Sequence, residues 1–101
     1  MMAKHLKLRN RVAVVTGGSG VLGAEMAKEL AKQGMKVVII NLNVEKGQKV
    51  VEAIQAEGDE AMAISANVLD KQSLIDARMQ ILAKYGQIDL LINAAGGNHP
   101  N

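Results

Sequence analysis

Residues 16 to 23 read Thr16-Gly17-Gly18-Ser19-Gly20-Val21-Leu22-Gly23, and within them Gly18, Gly20 and Gly23 keep the spacing G-x-G-x-x-G. Glycines so placed meet three needs at once: a tight reversal, a backbone without Cβ against which a pyrophosphate can lie, and close packing of a helix on a strand. A helix starting there would aim its free N–H groups and its positive dipole end at that anion. A glycine-rich turn also occurs where a chain simply reverses, so the chemistry depends on the flanking elements.

Three further places bear on the same ligand. Roughly 20 residues on, where a side chain can hydrogen-bond a ribose hydroxyl, the chain has Asn41-Leu42-Asn43. Asn41 is neutral, so it does not repel a 2′-phosphate, and no Arg beside it attracts one. Asn67-Val68 pairs a polar with an apolar side chain, as suits an adenine pocket, although a helix-capping role accounts for Asn67 equally well. Asn93-Ala94-Ala95-Gly96 follows an apolar run, and its small residues would let a ligand pass close to the backbone. His5 and His99 stand apart from any carboxylate or thiolate cluster with metal-ligand spacing, so no metal site is expected. His99 reads as a solvated loop residue.

These residues need elements to position them. Val12-Ala13-Val14-Val15 and Val37-Val38-Ile39-Ile40 are short apolar runs of the kind buried on both faces of a sheet. Ala61 to Ile64 is a weaker third strand, and Ile88 to Ile92 a fourth. Between them lie three helical segments. Val21 to Gln33 carries Leu22, Met26, Ala27, Leu30 and Ala31 on one face, and Val44 to Glu57 carries Val50, Val51 and Ile54. Lys71 to Lys84 carries Leu74, Ile75, Met79 and Leu82. Gly34, Gly58 and Gly86 follow the three helices as stops, while Asp70 and Ser73 offer caps to the third.

Three strand-helix units in succession predict an α/β fold: a Rossmann-type parallel sheet in the order 3-2-1-4, with helices on both faces. Strand order then reverses between strands 1 and 4, where open α/β sheets bind their ligands. Residues 1–101 are expected to be one dinucleotide-binding domain, truncated after strand 4 and thus a fragment of a longer dehydrogenase. Strand 4 would otherwise be a bare apolar edge.

Composition narrows the classes. The chain has 12 basic and 10 acidic residues, one Tyr and no Trp or Phe. It therefore has neither the charge block nor the stacking surface for nucleic acid. No apolar run approaches the length of a membrane span. The absence of Cys, and an N-terminus without an apolar signal core, suit a cytoplasmic protein. A methyltransferase fits less well, with Thr16 instead of an acid ahead of the glycines, and a receiver-type domain lacks its acidic cluster at the end of strand 1.

Taken together, Val12 to Gly23, Asn67-Val68 and the run Tyr85 to Gly96 resemble the short-chain dehydrogenase/reductase family over essentially the whole chain. Val21 stands where that family has Gly, Asn67 where Asp is commoner, and Ala94 where the strand 4 motif has a second Asn. The resemblance implies NAD or NADP as cofactor, with NAD slightly preferred. It implies contacts from Gly17, Gly18, Ser19, Gly20, Val21, Leu22, Asn41, Leu42, Asn67, Val68, Asn93, Ala94, Ala95 and Gly96. Within the family, T-G-G-S-G-V-L-G with a later A-G-G-N-H-P is similar to the D-mannonate oxidoreductase (D-fructuronate reductase) branch, which implies hydride transfer to a sugar-acid carbonyl and, for the parent, a homo-oligomer. The family's catalytic Tyr-x-x-x-Lys pair lies downstream. Here Tyr85 is followed four residues later by Asp89, so this chain alone is expected to be inactive. A non-catalytic nucleotide-binding module, or a reductase of another small carbonyl such as a 3-oxoacyl thioester, are the alternatives.

Overall fold

The computed structural model describes residues 8–17 and 20–94. Strands and helices alternate as β1 (Val12–Thr16), α1 (Val21–Lys32), β2 (Lys36–Asn41), α2 (Val44–Ala56), β3 (Ala61–Ser65), α3 (Lys71–Tyr85) and β4 (Leu90–Asn93). All strand pairs are parallel, and the sheet order is β3-β2-β1-β4. This is the doubly wound, Rossmann-like arrangement that the sequence predicts.

The β-branched runs form the centre because their stiff side chains fill both faces of a covered sheet. On one face Val15, Val37 and Ile39 pack with Ala27 and Ala31 of α1 and with Val50, Val51 and Ile54 of α2. On the other, Val12, Val14, Val38, Ile40 and Ile64 pack with Ala77 and Ile81 of α3. Alternate residues of one strand thus serve opposite layers, as the period of two requires. Where α2 packs on the sheet, a Cβ at Gly47 would lie 3.4 Å from Ala63 Cβ and 3.5 Å from Ile39 Cγ2, ordinary van der Waals contact. The helix ends are local. Asn43 Oδ1 accepts from the N–H groups of Glu45 and Lys46, and Asp70 caps α3 through Gln72 N–H. Gly86 closes α3 at φ 78°, a left-handed conformation that favours glycine, with its N–H on Leu82 O.

Three sequence expectations are corrected. First, the buried face of α1 is Gly23, Ala27 and Ala31, while Leu22 is 65% exposed; the small residues bring the helix axis close to the sheet and turn the larger side chain outward. Second, α3 buries Ala77 and Ile81 and leaves Ile75 and Met79 exposed. Third, β4 begins at Leu90, two residues later than expected. Asp89 takes over the approach, its N–H donating to Val12 O at 2.9 Å and its carboxylate accepting from Val12 N–H at 2.8 Å. β4 is also not enclosed on both faces: Leu91 is 65% exposed. Among the described residues no helix is long and apolar enough to cross a membrane.

Candidate dinucleotide site

Register decides which residues meet. Thr16 pairs with Ile40 and with Asn93, and Asn41 pairs with Ser65, so all four strands end at one edge of the sheet. The segments after β1, β2 and β3 converge there on a cavity of about 270 Å³, lined by Gly17, Ile40, Asn41, Leu42, Ala66, Asn67, Val68 and Leu69. Leu42, Val68 and Leu69 give it apolar walls, while Asn41 and Asn67 supply its polar side chains.

The turn after β1 leads α1 to the same edge. Gly17 has φ 71° and donates its N–H to Ile40 O at 2.8 Å, which locks the turn onto β2. Gly20 is the N-cap of α1. It has ordinary extended angles, φ −73° and ψ 168°, and no side chain to accept from the first turn. A Cβ at Gly20 would meet, among the described residues, only Gly17 O at 3.7 Å. Neither backbone strain nor packing against these residues therefore requires glycine. α1 also has no acidic residue in its first turn, so its orphan N–H groups and positive dipole end have no counter-charge of their own there. An anionic pyrophosphate fits this donor set. Val21 and Leu22, in the first turn, are 86% and 65% exposed.

The remaining expected residues are placed as follows. Asn41 donates Nδ2–H to Asn43 O at 3.2 Å and keeps its side-chain oxygen at the end of β2. Asn67 accepts from Leu69 N–H at 2.9 Å and holds Ser73 Oγ through its own N–H. The capping role falls to Asp70. Asn93 accepts from Thr16 Oγ1–H at 2.9 Å, tying β1 to β4 across the point where strand order reverses, and Ala94 N–H reaches Thr16 O at 3.0 Å. The structure brings Gly17, Asn41, Leu42, Asn67 and Val68 into one cavity; Gly20, Val21 and Leu22 open α1 outside its lining, and Asn93 and Ala94 stand on the far side of β1. Gly18, Ser19, Ala95, Gly96, His5 and His99 lie outside the described residues.

Two positioning residues escaped the sequence reading. Thr16 is 7% exposed and orients Asn93; its place at the head of the glycine motif was visible, its bond across to β4 was not. Leu69 rims the cavity at 91% exposure, and nothing in the sequence marks it. A larger groove of about 620 Å³ runs beside α3 over β1 and β4, with Thr16 and Asn93 in its wall. Val14, Leu74, Ile81, Ile88 and Leu91 make that groove mainly apolar, so it offers a dinucleotide few hydrogen-bond partners.

Tyr85 sits at the opposite edge of the sheet, where α3 ends. Lys36 Nζ and Lys84 Nζ lie 5.5 and 5.6 Å from its ring centroid. Burial, and then the Glu60 carboxylate, push its hydroxyl above the ordinary phenol range, the reverse of what proton transfer near neutrality needs. Asp89 is held below the ordinary carboxylate range, first by Val12 N–H and then, against some desolvation, by Gln87 and Arg11. Arg11 Nη1 is 3.3 Å from Asp89 Oδ1. Both groups serve the fold at the edge away from the glycine turn. Among the described residues no group of three or more His, Asp or Glu is placed to hold a metal.

Such a sheet, with a glycine turn and a cavity at its carboxyl edge, defines a dinucleotide-binding class of domain. The chain belongs to the short-chain dehydrogenase family, whose family model matches residues 11–101. An uncharacterized oxidoreductase, UxuB, of Bacillus subtilis (strain 168) is 54% identical over 101 residues, which are all of this chain and 36% of that protein. A structure from Haemophilus influenza with bound NAD, provisionally assigned as a D-mannonate oxidoreductase, superimposes with a TM-score of 0.86 at 39% identity over 92% of this chain and 33% of that one. A metagenomic short-chain oxidoreductase in complex with NADP gives a TM-score of 0.80 at 34% identity, covering 83% of this chain and 38% of that one. The chain thus spans 33–38% of the length of these relatives.

Proposed function

We propose that this chain is the NAD(P)-binding part of an oxidoreductase that moves hydride between a nicotinamide and a sugar-acid carbonyl or alcohol of the D-mannonate/D-fructuronate type. The observation that carries the cofactor reading is Gly20: a glycine required by neither its backbone angles nor the neighbouring described atoms, at an N-cap of α1 that offers no side chain to the first turn. That is what close approach of an anion demands.

The segment Gly17 to Leu22 would hold the pyrophosphate by backbone N–H groups. Asn41 would accept from the adenosine ribose with its side-chain oxygen, and Leu42 would pack beside that ribose. Asn67 and Val68 would line the purine. Asn93, its side-chain oxygen engaged by Thr16, would keep the strand ends together so that Ala94, Ala95 and Gly96 leave room for the nicotinamide half. When bound, the nicotinamide supplies the hydride. The chain's own residues would bind and orient it. The sugar-acid class rests on the two loops noted in the sequence and on the likeness to the Haemophilus protein.

Titration of NADH and NADPH into the chain, followed by fluorescence and calorimetry, tests the cofactor reading, with saturable binding of at least one expected. For the substrate, a protein in which this chain precedes a Tyr-x-x-x-Lys half should oxidise D-mannonate with reduction of the nicotinamide. Turnover of other alcohols but not of sugar acids would reject the substrate class and keep the cofactor site.

A further inference from the structure

Side chains grip the turn between β2 and α2 from both sides. Asn41 Nδ2–H donates to Asn43 O at 3.2 Å, and Ser65 Oγ–H, from the end of β3, donates to Leu42 O at 3.1 Å. Asn41 and Ser65 are register partners, and Ala66 N–H adds a backbone bond to Asn41 O at 3.2 Å. The regular pairing of β2 with β3 stops there. The Leu42 carbonyl lies one residue beyond it, and the Ser65 hydroxyl ties that peptide to β3.

The tie bears on the direction of the Asn41 amide. A carbonyl can only accept, so the group that meets Asn43 O is NH2, and Oδ1 is turned the other way. The position of Asn43 O follows from the plane of the Leu42–Asn43 peptide, whose carbonyl is the one that Ser65 holds. Two bonds in series therefore set where the Asn41 oxygen points. Ser65 does not itself line the cavity walled by Asn41 and Leu42, so its hydroxyl acts on a ligand there through the turn.

Building on the dinucleotide reading above, we propose that Ser65 is a positioning residue: by holding Leu42 O, it fixes the turn that aims Asn41 Oδ1 at the adenosine ribose. Water can replace a hydrogen bond to an exposed carbonyl at little cost to folding. It does not hold that carbonyl in one place, so loss of the hydroxyl is felt in binding.

The test is calorimetric titration of NADH into the 101-residue chain and its variants. Ser65→Ala is expected to raise Kd about fivefold, the loss of one neutral hydrogen bond. Ser65→Thr keeps a hydroxyl at an exposed position and is expected to stay within about twofold of the unsubstituted chain. In a chain already carrying Asn41→Ala, adding Ser65→Ala should raise Kd by less than about twofold, because the group being positioned is gone. A loss below about twofold for Ser65→Ala, an equal loss for Ser65→Thr, or the full loss repeated beside Asn41→Ala overturns the inference and leaves the dinucleotide site standing. If the unsubstituted chain does not bind NADH, the underlying reading falls and this inference with it.

Discussion

Replacing Gly20 by Asp sets folding against binding. At φ −73° and ψ 168° an L-residue fits without strain, and an added Cβ would have only Gly17 O, at 3.7 Å, near it among the described residues. The carboxylate can accept from first-turn N–H groups that the Gly20 N-cap, lacking a side chain, does not cap, and it lies at the positive end of α1. Cap and dipole each contribute a few tenths to about 1 kcal/mol, and the loss of glycine's freedom in the unfolded chain contributes about 0.4–1 kcal/mol. A gain near 1 kcal/mol raises Tm by roughly 4–8 °C for a domain of this size. The same carboxylate occupies the anion position. At about 4 Å and an effective dielectric near 20, a unit charge on the ligand is repelled by about 4 kcal/mol, a loss of affinity of at least 100-fold. Thermal denaturation and NADH titration on the same sample read both effects. A variant that melts lower would show that glycine is needed by the turn itself; a variant that melts higher yet binds NADH unchanged would refute the placing of the pyrophosphate at α1.

Other substitutions report on separate parts. Thr16→Val leaves the Asn93 side-chain oxygen without its donor and is expected to lower stability by about 1 kcal/mol, read as a lower denaturation midpoint; no change would show that the link between β1 and β4 carries no free energy. Asn41→Asp introduces a negative charge at the end of β2 and should weaken NADPH relative to NADH by on the order of tenfold, with an unchanged ratio placing the ribose elsewhere. Asp89 titrates below the ordinary carboxylate range in the folded chain. Its stabilising effect is therefore present above the unfolded carboxyl pKa and is lost as pH falls through the folded one. Asp89→Asn should remove that dependence and flatten the acid limb of the stability profile, and an acid limb of unchanged slope would assign it to other carboxylates.

Strand order and helix placement were legible because buried aliphatic runs and glycine stops are local signals, and because the handedness of parallel crossovers leaves few ways to join them. Helix faces were less so. Periodicity selects the largest apolar residues, but α1 buries Ala27 and Ala31 where it lies close against the sheet, and α3 buries Ala77 together with Ile81; Leu22, Ile75 and Met79 turn outward. The delayed start of β4 depends on Asp89 meeting Val12, 77 positions apart, and no window of sequence contains that pair. The candidate site was readable as residue types at the strand ends. What was hidden was the direction of each amide, which follows from single hydrogen bonds: Thr16 to Asn93, Leu69 to Asn67, and Asn41 to Asn43.

Amide chemical-shift mapping during NAD titration into the isotopically labelled chain addresses the dinucleotide reading most directly. Saturable shifts confined to Gly17–Leu22, Asn41–Leu42, Asn67–Leu69 and Asn93–Gly96 are expected, with the opposite edge around Tyr85 and Asp89 silent. A folded chain that shows no shifts, or shifts centred on the apolar groove between α3 and β4, would contradict it.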